Sequence, residues 1–246
     1  MPRPSRNLDQ ALLAAGRELF PERGCAGMSI REVAEAAGVN LGMFHYHFKS
    51  REAFLRALMQ QGYETMFATL SLEIARPSDT VSTLRYALRA IARFVRDNRR
   101  FLARVLADAL SGEDCARDFL RDNLPRHLDL LRALIAKGQK EGVFAQMPLT
   151  QAMGVCAGSL AMPILAGGAM IDTGLLEPAT AKMLDATLLT NDAIDQRIEL
   201  ALRAIGQTRE TRDEKRETRD ERRETRDERR ETRDERRGKS GKRGTE

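Results

Sequence analysis

The chain of 246 residues has no tryptophan, three tyrosines and three cysteines. So few aromatics, with Val, Ile and Thr scattered rather than clustered, argue against a sheet. Cys25, Cys115 and Cys156 are too sparse for a disulfide framework and lack Cys-x-x-Cys spacing, which fits a reducing compartment, the cytoplasm. Only 8 prolines and 18 glycines exclude collagen-like and Pro/Gly-rich disordered classes. The first residues show no basic-then-apolar signal pattern, so secretion is not expected. No G-x-G-x-x-G, P-loop, H-E-x-x-H or G-x-S-x-G string occurs, so neither an enzyme nor a cofactor is expected and no catalytic residue is assigned. His45 and His47, two apart, cannot share a helix face, so no metal site is expected.

A single sign of charge is also missing. The net charge is +5, but from Gln207 onward 16 basic residues are interleaved with 13 acidic ones, leaving 25 and 23 in the preceding 206 residues. Neither part carries a strong field. The last segment, 207–246, repeats ETRDEKR and then ETRDERR three times. A heptad without one apolar position has no seam to bury, so the segment reads as a disordered tail or a solvated helix.

What remains is helix. Leu8, Ala11, Leu12, Ala15 and Leu19 recur at helical spacing, and Gly24 suits a left-handed C-terminal cap. Ser29 and Glu32 have the spacing of a capping box, in which Glu32 reaches back to the Ser29 backbone. Asn40 caps a third short helix and Ser50 a fourth that runs to about Ala75. Further helices fit 79–97, 99–111, 114–140, 149–171 and 190–206, about nine in all. The expected fold is all-α, a short-helix head on a long-helix body.

The head has the form of a helix-turn-helix unit. At 100° per residue Phe44 and Phe48 share one side of the third helix, while Gly42 and Tyr46 share the other, flanked by Met43 and His45. A helix presenting Gly, Tyr and His is suited to a close backbone approach and to hydrogen bonds with phosphates or base edges. Arg3 and Arg6 have the position of an N-terminal arm.

The stretch Ser29–Glu52, SIREVAEAAGVNLGMFHYHFKSRE, closely resembles the helix-turn-helix signature of TetR-type (TetR/AcrR) transcriptional regulators. The resemblance rests on Ala34, Gly38-Val39, Gly42, Phe44, Tyr46, Phe48-Lys49 and Arg51-Glu52. It implies a homodimeric, ligand-responsive regulator, usually a repressor released by a small molecule, that binds a near-palindromic site on double-stranded DNA. Carried over by position, Asn40 to His47 resemble the recognition helix and its cap. Tyr46, His47, Lys49 and Arg51 would meet phosphate, with Ser29 touching it at the cap. Met43 and His45 would face base edges, and Leu41 would offer only an apolar contact to a thymine methyl. The domains expected are 1–50 for DNA binding, 51–206 for ligand binding and dimerisation, and 207–246 for the tail.

Residues 152–171 are uncharged throughout and long enough to span a bilayer. More than half of them are small, and Gln151 and Asp172 flank them without a basic cluster or aromatic belt, so no membrane association is expected. Gly154, Ala157, Gly158 and Ala161 instead suit close helix packing, and Pro163 should kink this helix near Gly167-Gly168. The stripe Ala193, Ile194, Ile198, Ala201, Leu202 and Ile205 on the last helix suits a partner helix too. In the family resembled, the last two helices of each subunit form the dimer interface. Candidate cavity positions are Phe67, Leu70, Phe94, Phe101, Leu106, Phe119, Leu131 and Met153, each also explained as core. His127 is a candidate polar handle for a ligand of unknown identity. The alternative reading is a helical ligand-binding or adaptor protein without specific DNA binding.

Overall fold

Four of the helix starts are written into single side chains. The hydroxyls and amide oxygen of Ser29, Asn40 and Ser50 accept from the N–H groups of Glu32, Met43 and Ala53 at 3.5, 3.0 and 3.1 Å, and the Asp79 carboxylate from Ser82 at 2.9 Å. Each satisfies an orphan donor of the first turn, worth about 1 kcal/mol. The computed structural model describes residues 7–206; the charged repeat of 207–246 and the arm residues Arg3 and Arg6 lie outside the described residues. Among the described residues there are ten helices and no strand: α1 (Leu8–Gly27), α2 (Ile30–Ala36), α3 (Leu41–Phe48), α4 (Arg51–Ile74), α5 (Thr80–Asp97), α6 (Arg99–Ser111), α7 (Asp114–Lys140), α8 (Leu149–Asp172), α9 (Pro178–Leu188) and α10 (Asn191–Ile205). The fold is all-α.

Two local expectations need correction. Glu32 does not close a capping box, because its carboxylate is taken by the Arg23 guanidinium at 2.6 Å. Gly24 interrupts α1 but is not a left-handed cap. Its φ of 62° comes with ψ of −170°, a region open essentially to glycine alone, and one more turn follows to Gly27. The Arg104 guanidinium lies where a Gly24 side chain would be. Arg104 Nε in turn donates to Asp108 Oδ1 at 2.8 Å, and the buried Asp108 accepts the Cys25 N–H at 2.6 Å. The end of α1 is thus fastened to α6.

α5 is the spine of the body. Leu84, Ala87, Leu88, Ala92 and Val95 form its buried face, packed against α4, α7, α8 and α10. Burying each leucine contributes about 1.5–3 kcal/mol. Its polar edge is tied to α10 by Arg89–Asp195 at 2.7 Å and by Arg85–Glu199. Arg99–Asp172 at 2.7 Å joins α6 to α8.

α8 has the length and hydropathy of a membrane span, yet it packs against α5, α6, α7, α9 and α10. It runs as one helix through Pro163, the position of the expected kink. A single missing hydrogen bond does not end a 24-residue helix held by neighbours on several sides. α9 had no counterpart in the sequence reading: none of its residues is fully buried, and its only inward stripe is the short one of Ala181, Leu184 and Leu188, half-buried toward α8. The apolar stripe of α10, expected at a partner helix, is consumed within the subunit. Ala193, Ile194, Ile198, Ala201, Leu202 and Ile205 are all buried, against α5 and α8.

Gly24→Ala should therefore destabilise the head–body joint by about 1–3 kcal/mol through backbone strain and overlap with Arg104. Urea denaturation reads this as a lower midpoint with an unchanged slope.

Candidate nucleic-acid interface

The outward face of α3 is set by what its inward face buries. Phe44 is fully buried, its ring centroid 5.7 Å from that of Phe48 and 5.2 Å from that of Phe54 on α4. With Phe44 fixed inward, Tyr46 is turned outward and is 72% exposed. Gly42, His45 and Lys49 are exposed beside it, and Leu41 and Met43 are half-buried at the edges. Ser29 and Asn40 lie exposed at the starts of α2 and α3. Lys49 is the one non-glycine among the described residues with a left-handed φ, 57° with ψ of −43°. Its N–H donates to His45 O at 3.1 Å, and Ser50 follows at once as the cap of α4. This strained residue makes the turn between α3 and α4 as short as it is.

Two of the expected phosphate contacts sit otherwise. Arg51 Nη1 donates to the carbonyls of Cys25 and Ala26 at 2.8 and 2.9 Å, so its guanidinium caps the end of α1. Those carbonyls are otherwise left over at a helix terminus, and a cation there is favoured by the helix dipole. His47 is half-buried, and its Nε2 is enclosed with no hydrogen-bond partner among the described residues. The exposed set is therefore Gly42, His45, Tyr46 and Lys49, with the caps Ser29 and Asn40.

The body holds two adjoining cavities of about 300 and 240 Å³, both bordered by Ile91, Val95, His127 and Ala161. Of the candidate positions, Phe94, Phe101, Leu106, Phe119 and His127 line the smaller cavity, and His127, Leu131 and Met153 the larger. Phe67 and Leu70 line neither. Arg126 covers the Phe67 ring at 4.2 Å, and Leu70 is fully buried core. Of the wall that α5 supplies, the sequence reading had Phe94 but missed Leu84, Leu88, Ile91 and Val95, although the amphipathic stripe was there to find.

Polar groups are few and already engaged. Tyr63 Oη donates to Asn123 O at 2.6 Å, and His127 Nδ1 lies 3.2 Å from the same phenolic oxygen. With the phenolic proton spent on Asn123, His127 Nδ1 must be the donor to Tyr63, which leaves Nε2 as an acceptor. Burial holds the His127 pKa below its ordinary value of 6.5, so the imidazole is neutral at pH 7. No cluster of His, Cys, Asp or Glu suited to a metal occurs among the described residues.

Residues 12–58 match the family model described as bacterial regulatory proteins, tetR family. The chain is similar to the probable HTH-type transcriptional regulator YttP of Bacillus subtilis, 27% identical over 60% of this chain and 72% of that protein. It is also similar to the HTH-type transcriptional repressor NemR of Escherichia coli, 40% identical over 21% of this chain and 26% of the other. Most other curated relatives are likewise matched over part of their length, as with 31% of the Mycobacterium repressor DhaR. Among solved structures, the TetR family regulator PfmR of Thermus thermophilus aligns with a TM-score of 0.59 and 21% identity, over 85% of this chain and 100% of that one. The Mycobacterium tuberculosis regulator KstR2 aligns at 0.61 and 15%, over 83% and 98%. The head is thus a tetR-family helix-turn-helix domain on a body of the same fold. The head is of the kind found in TetR-type transcriptional regulators.

Phe44→Ala should cost about 3–5 kcal/mol of folding stability, whereas Tyr46→Ala should change it by no more than about 0.5 kcal/mol. Chemical denaturation of the two variants reads the contrast between buried and presented faces. His127 gives a pH signature. Since the folded ring resists a proton that the unfolded chain accepts, its contribution is full above about pH 6.5 and is lost as the pH falls from there through the lowered folded value. His127→Gln should remove this part of the acid-side decline in stability, measured by denaturation at a series of pH values.

Proposed function

We propose that the chain binds a near-palindromic duplex site as a homodimer, represses transcription there, and is released by a small apolar effector held in the body. The observation that carries the reading is the surface of α3, where Gly42, His45, Tyr46 and Lys49 are presented together by the buried Phe44. In the groove, Tyr46 and Lys49 meet phosphate, with Ser29 and Asn40 at the flanking backbone, while Met43 and His45 meet base edges and Leu41 a thymine methyl. Arg51 positions α1 and His47 supports Tyr46, whose ring it meets edge-on at 5.2 Å. Repressor names among the relatives, NemR and DhaR, support the sign of regulation. A protein acting on the bacterial chromosome works in the cytoplasm. The proposed division is residues 1–50 as the DNA-binding head and 51–206 as the ligand-binding and dimerisation body.

The second head is supplied by a second copy. α8 keeps an unburied small-residue stripe, Gly154, Ala157, Gly158, Met162, Ala166 and Met170, at helical spacing. Gly158 faces open space within the subunit, so its lack of a side chain answers no internal need, whereas Gly154 and Ala157 also border the larger cavity. Pairing of α8 with its copy, flanked by the outer face of α10 at Leu200, supplies that need. Two heads related by this axis read half-sites about 34–36 Å apart on one face of the duplex.

Effector and DNA compete through α4. The helix carries Phe54 against the recognition helix and Tyr63 on the cavity wall, nine residues or about 14 Å apart on one rod. An effector fills the apolar cavities and donates one hydrogen bond to His127 Nε2. It shifts the population toward a body whose heads are mis-spaced, by no more than its difference in affinity between the two states.

Two measurements test this reading. Tyr46→Ala should weaken binding to every duplex tested and flatten the dependence of log affinity on log salt by roughly one phosphate contact, whereas Met43 and His45 replacements should change preference at single base positions by about 1–3 kcal/mol. Equal affinity of Tyr46→Ala and wild type at moderate salt contradicts the interface. Gly158→Glu, which has room in the isolated subunit, should leave the fold intact and yield monomer in sedimentation.

A further inference from the structure

The apolar cavities have a charged neighbour to which the DNA-binding reading gives no task. Between α4 and α5, with Asp195 of α10 at one side, lies an open groove of about 660 Å³. Met66, Phe94 and Asn98 border both this groove and the smaller cavity, so one layer of side chains separates charged space from apolar space. Asn98 is also a point where the head is fastened to the body. Arg17 of α1 donates from Nη2 to Asn98 Oδ1, and Asn98 Nδ2 donates to Phe94 O at 2.8 Å.

The charges along the groove cancel in pairs, with one left over. Glu73 is met by Arg76 at 3.0 Å, Asp195 by Arg89 at 2.7 Å and Asp97 by Arg96 at 2.8 Å. Each carboxylate of the groove is thereby claimed, and Arg93 of α5 lines it without one. Arg93 Nε is enclosed with no hydrogen-bond partner among the described residues. A guanidinium does not shed its proton, so a donor taken from water here stays unspent, at a cost to the free protein. The α4 side offers no answer to it. The Thr65 and Thr69 hydroxyls donate to Gln61 O and Thr65 O at 3.1 and 3.0 Å.

We propose that the effector is an amphipathic monocarboxylate, with its apolar body in the cavities and its carboxylate in the groove on Arg93. This rests on the reading of the cavities as the effector site and adds the charged end of the ligand. One negative charge matches the one uncompensated cation. A dianion, such as a phosphate monoester, would bring a surplus charge beside Glu73, Asp97 and Asp195. A carboxylate accepts two parallel N–H bonds from a guanidinium and so satisfies Nε together with one Nη, which an ester or ether oxygen does not. The chain crosses the shared wall at Met66, an unbranched side chain that yields by rotation about its own bonds. The crossing lies beside Asn98, so a ligand that occupies both spaces presses on the bond that holds Arg17 of the head.

Titration calorimetry of the full chain with octanoate, methyl octanoate and octyl phosphate tests the assignment. Octanoate should bind about tenfold or more tightly than its uncharged ester, and added salt should narrow the gap. Octyl phosphate, a dianion above about pH 7, should bind more weakly than octanoate there. Arg93→Gln should bring octanoate down to the level of the ester, and Arg93→Lys, which keeps the charge but not the fork, should restore part of the difference. Arg93 has no ion pair to lose, and the comparison of the three ligands on the wild-type chain needs no variant at all. Equal affinity for octanoate and its ester overturns the proposal and leaves the apolar effector site standing. A preference for octanoate that survives Arg93→Gln, or tighter binding of octyl phosphate, overturns the placing of a single charge in this groove. Binding of none of the three overturns the proposal together with the cavity reading beneath it.

Discussion

One phenyl ring decides what the head presents. α3 has eight residues, too short to hold its shape alone in water, and Phe44 is its single fully buried side chain. The ring is held among Phe48, Phe54 and the helices of the head, and this fixes the rotation of α3 about its own axis. Every statement about Tyr46, Gly42 and His45 follows from that rotation. Were the helix turned by one residue, about 100°, Tyr46 would no longer stand opposite the buried ring.

The same ring links the surface to the body. Phe54 belongs to α4, which continues as one helix to the cavity wall at Tyr63. A second link runs through the end of α1, where Gly24, Cys25 and Arg51 converge with Arg104 and Asp108 of α6. In the proposed reading, these two rigid connections carry a binding event in the body to the surface of the head. The buried Asp108 is fully engaged, by a backbone N–H and a guanidinium, as a carboxylate removed from water must be.

Much of this was legible in the amino-acid order, because the head encodes itself locally. Asn40 and Ser50 announce helix starts that depend on nothing distant, and the spacing of Phe44 and Phe48 gives the buried side of α3. What was not legible depended on partners far away in the chain. Arg51 looks like any exposed cation after a recognition helix, until the end of α1 comes within reach of its guanidinium. Glu32 had the spacing of a capping box but met Arg23 first. The α10 stripe declared itself apolar correctly, yet periodicity alone does not say whether an apolar face meets its own subunit or another. α9 escaped notice because its inward stripe, Ala181, Leu184 and Leu188, is short and only half-buried, too weak a period to read.

Amide hydrogen exchange of the full chain, with and without a duplex carrying a site recovered by selection from random DNA, tests the central claim most directly. The account predicts that protection on adding the duplex is concentrated in residues 40–50 and at the start of α2. Protection confined to the body, with the amides from Gly42 to Lys49 unchanged, would contradict it.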